Sequence, residues 1–111
     1  MTIHIFRGSL TDLERMTGKQ FEAVLNNDGT LVECSASRGI DIISPEMVKG
    51  YSWKEQLSED LTFTASKKGY AGYVHVVFER QFEGRDFPNY IPNYVAFGYP
   101  IKEKSLLESA F

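Results

Sequence analysis

Hydrophobic and polar residues alternate along most of the chain after residue 60, and a period of two is typical of β-strands. Residues 61–66 show this alternation, and Lys67, Lys68 and Gly69 then predict a hairpin turn. A return strand over residues 73–79 and a last strand over residues 95–101 continue the pattern. In a regular sheet, the helix-facing side would hold Phe63, Val74, Val76, Phe78, Val95 and Phe97.

The first 60 residues mix strand-like and helical segments. Residues 3–5 predict a first strand, and residues 11–14 form a capping box that opens a helical pattern. That pattern extends to Leu25, with Gly18 as a break within it. Further expected elements are a turn at 26–29, strands over 31–36 and 40–43, a helical turn at 44–45, and a short helix capped by Ser52 and ending near Asp60. Together they predict a single α+β domain, residues 1–111, with a mostly antiparallel sheet and one or two N-terminal helices packed on one face.

The bulk properties narrow the class of protein. A length of 111 residues suits one domain with one core. No apolar run approaches the roughly 20 residues of a membrane helix, the start lacks the pattern of a secretory signal, and Cys34 is the only cysteine. We therefore expect a cytoplasmic protein with no membrane partner. The net charge of −3 disfavours nucleic acid as a partner, because nucleic-acid binding normally requires a basic surface.

The second face of the late strands is rich in aromatic and hydroxyl side chains. Tyrosine suits a protein interface because it offers a large contact area with few rotatable bonds. The alternative is an ordinary solvated sheet face, where Thr and Tyr are also common. The residues expected to bind a partner are Tyr73, His75, Glu79, Tyr90 and Tyr94, with Lys67 and Lys68 at the hairpin turn. Replacing both Tyr73 and Tyr94 by alanine should then preserve the fold and weaken partner binding at least tenfold, or by about 1.4 kcal/mol.

Two segments carry features of nucleic-acid recognition. Residues 5–10 and residues 68–76 resemble the two ribonucleoprotein motifs of RRM domains. The resemblance implies that aromatic rings on adjacent strands stack on bases, with Lys68 on phosphate. Gly72 departs from the motif, because it places Tyr70 and Tyr73 on opposite sides of a regular strand. Single-stranded nucleic-acid binding is thus the alternative function.

A second resemblance concerns catalysis. Arg7, the hydroxyls of residues 64–66, and Glu79 or Glu83 follow an order similar to that of arginine-dependent ADP-ribosyltransferases. The resemblance implies that the arginine and the hydroxyls hold a dinucleotide while a glutamate directs the chemistry. A small enzyme of this class is the third and least favoured function.

The sequence does not predict a metal or cofactor site. His4 and His75 have no spacing to acidic residues that is diagnostic of a metal site, so we expect no metal and no cofactor. Trp53 is expected in the core rather than in an interface. The favoured function is non-catalytic binding of another protein, of the inhibitor, immunity or phage and plasmid accessory type. A homo-oligomer is a further option.

Overall fold

The computed structural model describes residues 2–39, 52–83 and 91–104. These residues build a single α+β domain with two helices and a five-stranded sheet, so the predicted fold class is confirmed at that level. In chain order the elements are β1 (His4–Ile5), α1 (Leu10–Thr17), β2 (Phe21–Ala23), β3 (Cys34–Arg38), α2 (Trp53–Lys68), β4 (Gly72–Glu83) and β5 (Ile91–Glu103).

The sheet is mixed rather than mostly antiparallel. β4 lies between β1 and β5, and the far edge of β5 pairs with β3 over residues 94–98 and with β2 over residues 101–103. The pairings made by β5 are antiparallel, whereas β1 runs parallel to β4. Parallel pairing is possible because β1 and β4 are joined by a long crossover and not by a hairpin.

The core occupies both sides of this sheet. Tyr73 packs in a buried cluster with Leu57 and Leu61 of α2, whereas the next residue, Val74, packs in a cluster with Leu13 of α1. Successive residues of a strand point to opposite faces, so the two helices contact opposite sides of β4. The prediction of N-terminal helices that share one face is corrected accordingly: α1 is N-terminal, but α2 lies in the middle of the chain.

Helix α1 is shorter than the sequence pattern predicts. Ser9 caps it in place of the predicted box at residues 11–14. Gly18 ends it in the left-handed conformation, with φ of 71°, and its amide donates to the Glu14 carbonyl oxygen at 2.8 Å. The chain then enters β2, so the predicted helical continuation to Leu25 is wrong.

Helix α2 is longer than predicted. Its start is confirmed, because Ser52 Oγ accepts a hydrogen bond from the Glu55 amide at 3.3 Å. The helix does not end near Asp60 but continues to Lys68, where Gly69 caps it with φ of 73°. Residues 61–66 are therefore helix rather than strand, and the predicted hairpin turn is the helix end.

A β-bulge interrupts β4 and changes which side chains share a face. The register slips between Val74 and Val77, and His75 adopts a φ of 52°. The regular alternation predicted for residues 73–79 is therefore wrong. The face toward α2 holds Tyr73, Val76 and Phe78, and the opposite face holds Val74, Val77 and Glu79.

Two predicted elements lie outside the described residues: the strand at 40–43 and the helical turn at 44–45. In the part of the chain that the structure covers, the turn at 26–29 is confirmed, with the Asn26 amide bonded to the Thr30 carbonyl oxygen at 2.8 Å. Neither α1 nor α2 has the length and apolar character needed to span a membrane.

Candidate binding surfaces

Tyr73, the central residue of the predicted interface, belongs to the core. Its side chain is fully buried, and its hydroxyl donates to the Leu61 carbonyl oxygen at 2.9 Å. Burial raises the pKa of the Tyr73 phenol above its ordinary value of 10.0. The bulge explains the error, because the extra residue returns Val76 and Phe78 to the same face as Tyr73. Tyr73 is not accessible to a partner.

The other predicted residues do not share a surface. Tyr94 is half-buried on the α2 side, whereas His75 and Glu79 are exposed, with the His75 ring 6.3 Å from that of Tyr99 on the opposite face. Lys67 and Lys68 are exposed at the C-terminal end of α2 rather than at a hairpin. Tyr90 lies outside the described residues. The structure therefore divides the predicted interface among the core and three separate surface regions.

Three aromatic rings and three cations meet on the α2 side, where the helix begins. We call this group the aromatic–cation patch. Its rings come from three elements: the first residue of α2, the middle of β4 and the early part of β5. Its members are Trp53, Phe78 and Tyr94, with Arg7, Lys54 and Arg80.

The rings of the patch form a continuous contact. The Trp53 ring centroid lies 5.0 Å from that of Tyr94, with the planes tilted by 44°. It lies 6.4 Å from that of Phe78 in an edge-to-face arrangement. Such geometry contributes about 0.5–1.5 kcal/mol per pair beyond simple area burial. All three rings are half-buried, so each presents part of its surface to solvent.

Each ring of the patch carries a cation of its own. The Arg7 guanidinium carbon lies 5.5 Å from the Phe78 centroid, Lys54 Nζ lies 5.6 Å from Trp53, and the Arg80 guanidinium carbon lies 5.9 Å from Tyr94. These distances fall within the range of cation–π attraction. The three cationic residues are exposed. For comparison, Lys67 covers Phe63 in the same way on the outer side of α2, at 5.1 Å.

An ion pair beside the patch holds α2 against the sheet. Arg38 of β3 donates from Nε and Nη2 to the two carboxylate oxygens of Asp60, both at 2.8 Å. Such a bidentate pair fixes geometry as well as distance. Arg38 is also the cross-strand partner of Tyr94. The rings therefore stand on elements that are fixed relative to one another.

The opposite side of the sheet has a region that the described helices leave uncovered. The residues packed with α1 lie at one end of β4 and β5, near Val74 and Ile101. Beyond them, Val77 is 46% exposed, and it pairs across the strands with half-buried Phe97. We call this region the open sheet surface; it comprises Ser35, Ser37, Val77, Glu79 and Phe97, with Val95, which is only 7% exposed, between Ser37 and Glu79.

Among the described side chains, the residues proposed in the two family resemblances do not form the implied arrangements; the side chain of Glu83, the other candidate glutamate, is outside the described part. Tyr70 and Tyr73 are both buried and in contact, with ring centroids 6.2 Å apart, so neither offers a face to a base. Arg7 lies over Phe78, and Glu79 points to the other side of β4. The hydroxyls of residues 64–66 lie on a helix.

Within the described ranges, no group of three His, Cys, Asp or Glu side chains is placed to hold a metal ion. A recess of about 330 Å³ beside the end of α2 is lined by Ile3, Ala65, Ser66, Gly69 and Tyr70. Its side chains include no acid, histidine or thiol. We assign no chemistry to it.

Comparison with known proteins returned no matching family model, no matching curated protein and no matching solved structure.

Proposed function

We propose that this chain is a non-catalytic protein-binding domain and that the aromatic–cation patch is its main contact surface. The observation that carries the proposal is the meeting of Trp53, Tyr94 and Arg80 at the protein surface. Tryptophan, tyrosine and arginine are the residues most enriched among the energetic centres of protein interfaces. Here they are half-buried or exposed and already fixed in place by their neighbours.

The side chains of the patch should also lose little conformational entropy when a partner binds. A binding surface contributes more affinity when its side chains need little further ordering on binding. The Trp53 ring is held by two aromatic neighbours, and the Arg38–Asp60 pair fixes the helix that carries it. An exposed arginine without such contacts would lose more side-chain freedom in a complex.

The open sheet surface is a second place for the same function. It keeps Glu79 of the sequence-based prediction, and exposed Val77 beside Phe97 gives it an apolar centre with serines around it. Apolar centres with polar rims are typical of interfaces. Because the two surfaces lie on opposite faces of β4, one experiment can distinguish them.

Site-specific photo-crosslinking in the native host provides that experiment. In separate variants, a photoreactive amino acid replaces Arg7 or Lys54 in the patch, or Val77 in the open sheet surface. A further variant replaces Lys67, which the sequence-based prediction placed in the interface. The control replaces Met16, which is 74% exposed on α1. We expect Arg7 and Lys54 to yield the same crosslinked protein and Met16 to yield none.

The captured protein is then purified and its affinity measured by calorimetry. Arg7→Ala with Lys54→Ala should weaken binding about tenfold, or about 1.4 kcal/mol. Both side chains are exposed, so the fold should persist. Crosslinking from Val77 alone would move the interface to the open sheet surface, and crosslinking from Lys67 alone would restore the sequence-based prediction. Equal crosslinking from every position, or from none, would contradict the protein-binding proposal.

A further inference from the structure

We infer that the aromatic–cation patch accepts an acidic segment of a partner protein, whose carboxylates bind Arg7 and Lys54. This inference rests on the proposed function and adds the chemistry of the partner. The three cations come from the residues just after β1, the first turn of α2 and β4. They are distant in sequence, and folding places them next to one another.

The charge of the patch contrasts with that of the whole chain. The protein carries a net charge of −3, yet three exposed cations lie on three adjoining rings. Among the residues that the structure describes, neither Arg7 nor Lys54 has a carboxylate within ion-pair distance. A local group of cations on a chain of negative net charge attracts a complementary negative group.

The position of Arg7 suits carboxylate recognition in particular. Its guanidinium carbon lies 5.5 Å from the Phe78 ring centroid, and the described residues place no carboxylate within ion-pair distance of its N–H donors. Two such donors match the two oxygens of a carboxylate. Lys54 adds a second cation above the neighbouring ring, so two successive acidic side chains of an extended segment could be bound together.

The ring geometry favours an acidic protein over single-stranded nucleic acid. Nucleic-acid binders of that class stack bases on free aromatic faces. Here every ring of the patch has its own cation over one face, and Trp53 also contacts the two other rings. A base would have to displace these contacts, whereas a carboxylate would add to them.

Fluorescence anisotropy with the full chain tests the inference. The probe is a short labelled oligoglutamate peptide; oligoglutamine and a single-stranded oligodeoxythymidine serve as comparison ligands. We expect oligoglutamate to bind and oligoglutamine not to bind. Raising the salt from about 0.05 M to about 0.5 M should weaken oligoglutamate binding about tenfold or more, because the cations are exposed and are screened by salt.

Matched variants localise the effect. Arg7→Gln with Lys54→Gln should weaken oligoglutamate binding about tenfold. Lys102→Gln with Lys104→Gln removes the same charge from exposed positions at the other end of β5, and should change affinity by less than about twofold. Arg7→Lys, which keeps the charge, should retain most of the binding in low salt, and circular dichroism verifies that each variant is folded.

The alternative results have distinct meanings. Equal losses in both double variants would overturn the inference, because binding would then follow net charge and not the patch. Tighter binding of oligodeoxythymidine than of oligoglutamate would assign the patch to nucleic acid. If neither ligand binds but the crosslinked partner still requires Arg7 and Lys54, the acidic chemistry is wrong while the proposed function stands.

Discussion

Replacement of Tyr73 is the sharpest test of how this fold is built. The sequence pattern places Tyr73 on the solvent side of the sheet, whereas in the structure the side chain is fully buried and bonded to the Leu61 carbonyl oxygen. A tyrosine side chain buries on the order of 150–250 Å², worth about 4–6 kcal/mol at about 25 cal/mol per Å². Aromatic-to-alanine changes in cores cost about 3–5 kcal/mol in practice.

Tyr73→Ala should therefore lower the free energy of unfolding by about 3–5 kcal/mol, a large part of the roughly 5–15 kcal/mol that stabilises a typical domain. Tyr73→Phe keeps the ring and loses only the buried hydrogen bond, so it should cost about 1 kcal/mol. The assay is urea unfolding followed by circular dichroism, with the slope compared among variants to verify that the same surface is exposed on unfolding.

Phe63→Ala is the matched control, because Phe63 is also aromatic but is 65% exposed on α2. It should change stability by no more than about 0.5 kcal/mol. If Tyr73→Ala were as mild as this control, Tyr73 could not be in the core and the assignment of the two faces of β4 would be wrong. The predicted double alanine variant of Tyr73 and Tyr94 is thus unsuitable for testing binding, because it should disrupt the fold.

Three further predictions concern the backbone and pH. At His75, with φ of 52°, glycine should give a protein about 1 kcal/mol more stable than alanine does in urea unfolding, because only glycine adopts this φ without strain; equal stabilities would argue against the bulge geometry. Gly72→Ala should prevent stable folding, since its Cβ would overlap the His4 backbone that pairs with β4; a native-like melting temperature would contradict that pairing. Burial raises the pKa of the Cys34 thiol above 9.0 and that of the Tyr73 phenol above 10.0. The stability that these two neutral groups contribute should therefore be complete below pH 9.0 and be lost as the pH rises through and above 10.0. Tyr73→Phe should reduce this alkaline loss of stability, and an unchanged alkaline profile would count against the burial of the phenol.

The sequence predicts where α2 starts but not where it ends. The sequence identifies Ser52 as the cap of α2. The alternation of apolar and polar residues over 61–66 predicts a strand, although these residues continue α2. The buried residues Leu57, Leu61 and Ala65 recur every four positions, which is a helical period. The intervening hydroxyls fit the helix because Thr62 donates to the Ser58 carbonyl oxygen at 2.8 Å, an alternative to strand pairing.

The aromatic–cation patch could not be predicted from sequence, because its parts meet only through tertiary structure. Arg7 reaches Phe78 through the parallel alignment of β1 with β4, and Trp53 reaches both rings through the docking of α2. One signal was available in principle. Once the hairpin register is known, Arg80 and Tyr94 are direct cross-strand partners.

Trp53 offers the most direct measurement of the central claim, because it is the only tryptophan in the chain and lies at the centre of the patch. The crosslinked partner is titrated into isotope-labelled protein, and the Trp53 indole N–H and the Val77 methyl resonances are followed by nuclear magnetic resonance. Binding at the patch predicts that the Trp53 signal shifts in a saturable way while the Val77 signal stays in place. A shift of Val77 with an unchanged Trp53 would contradict the assignment.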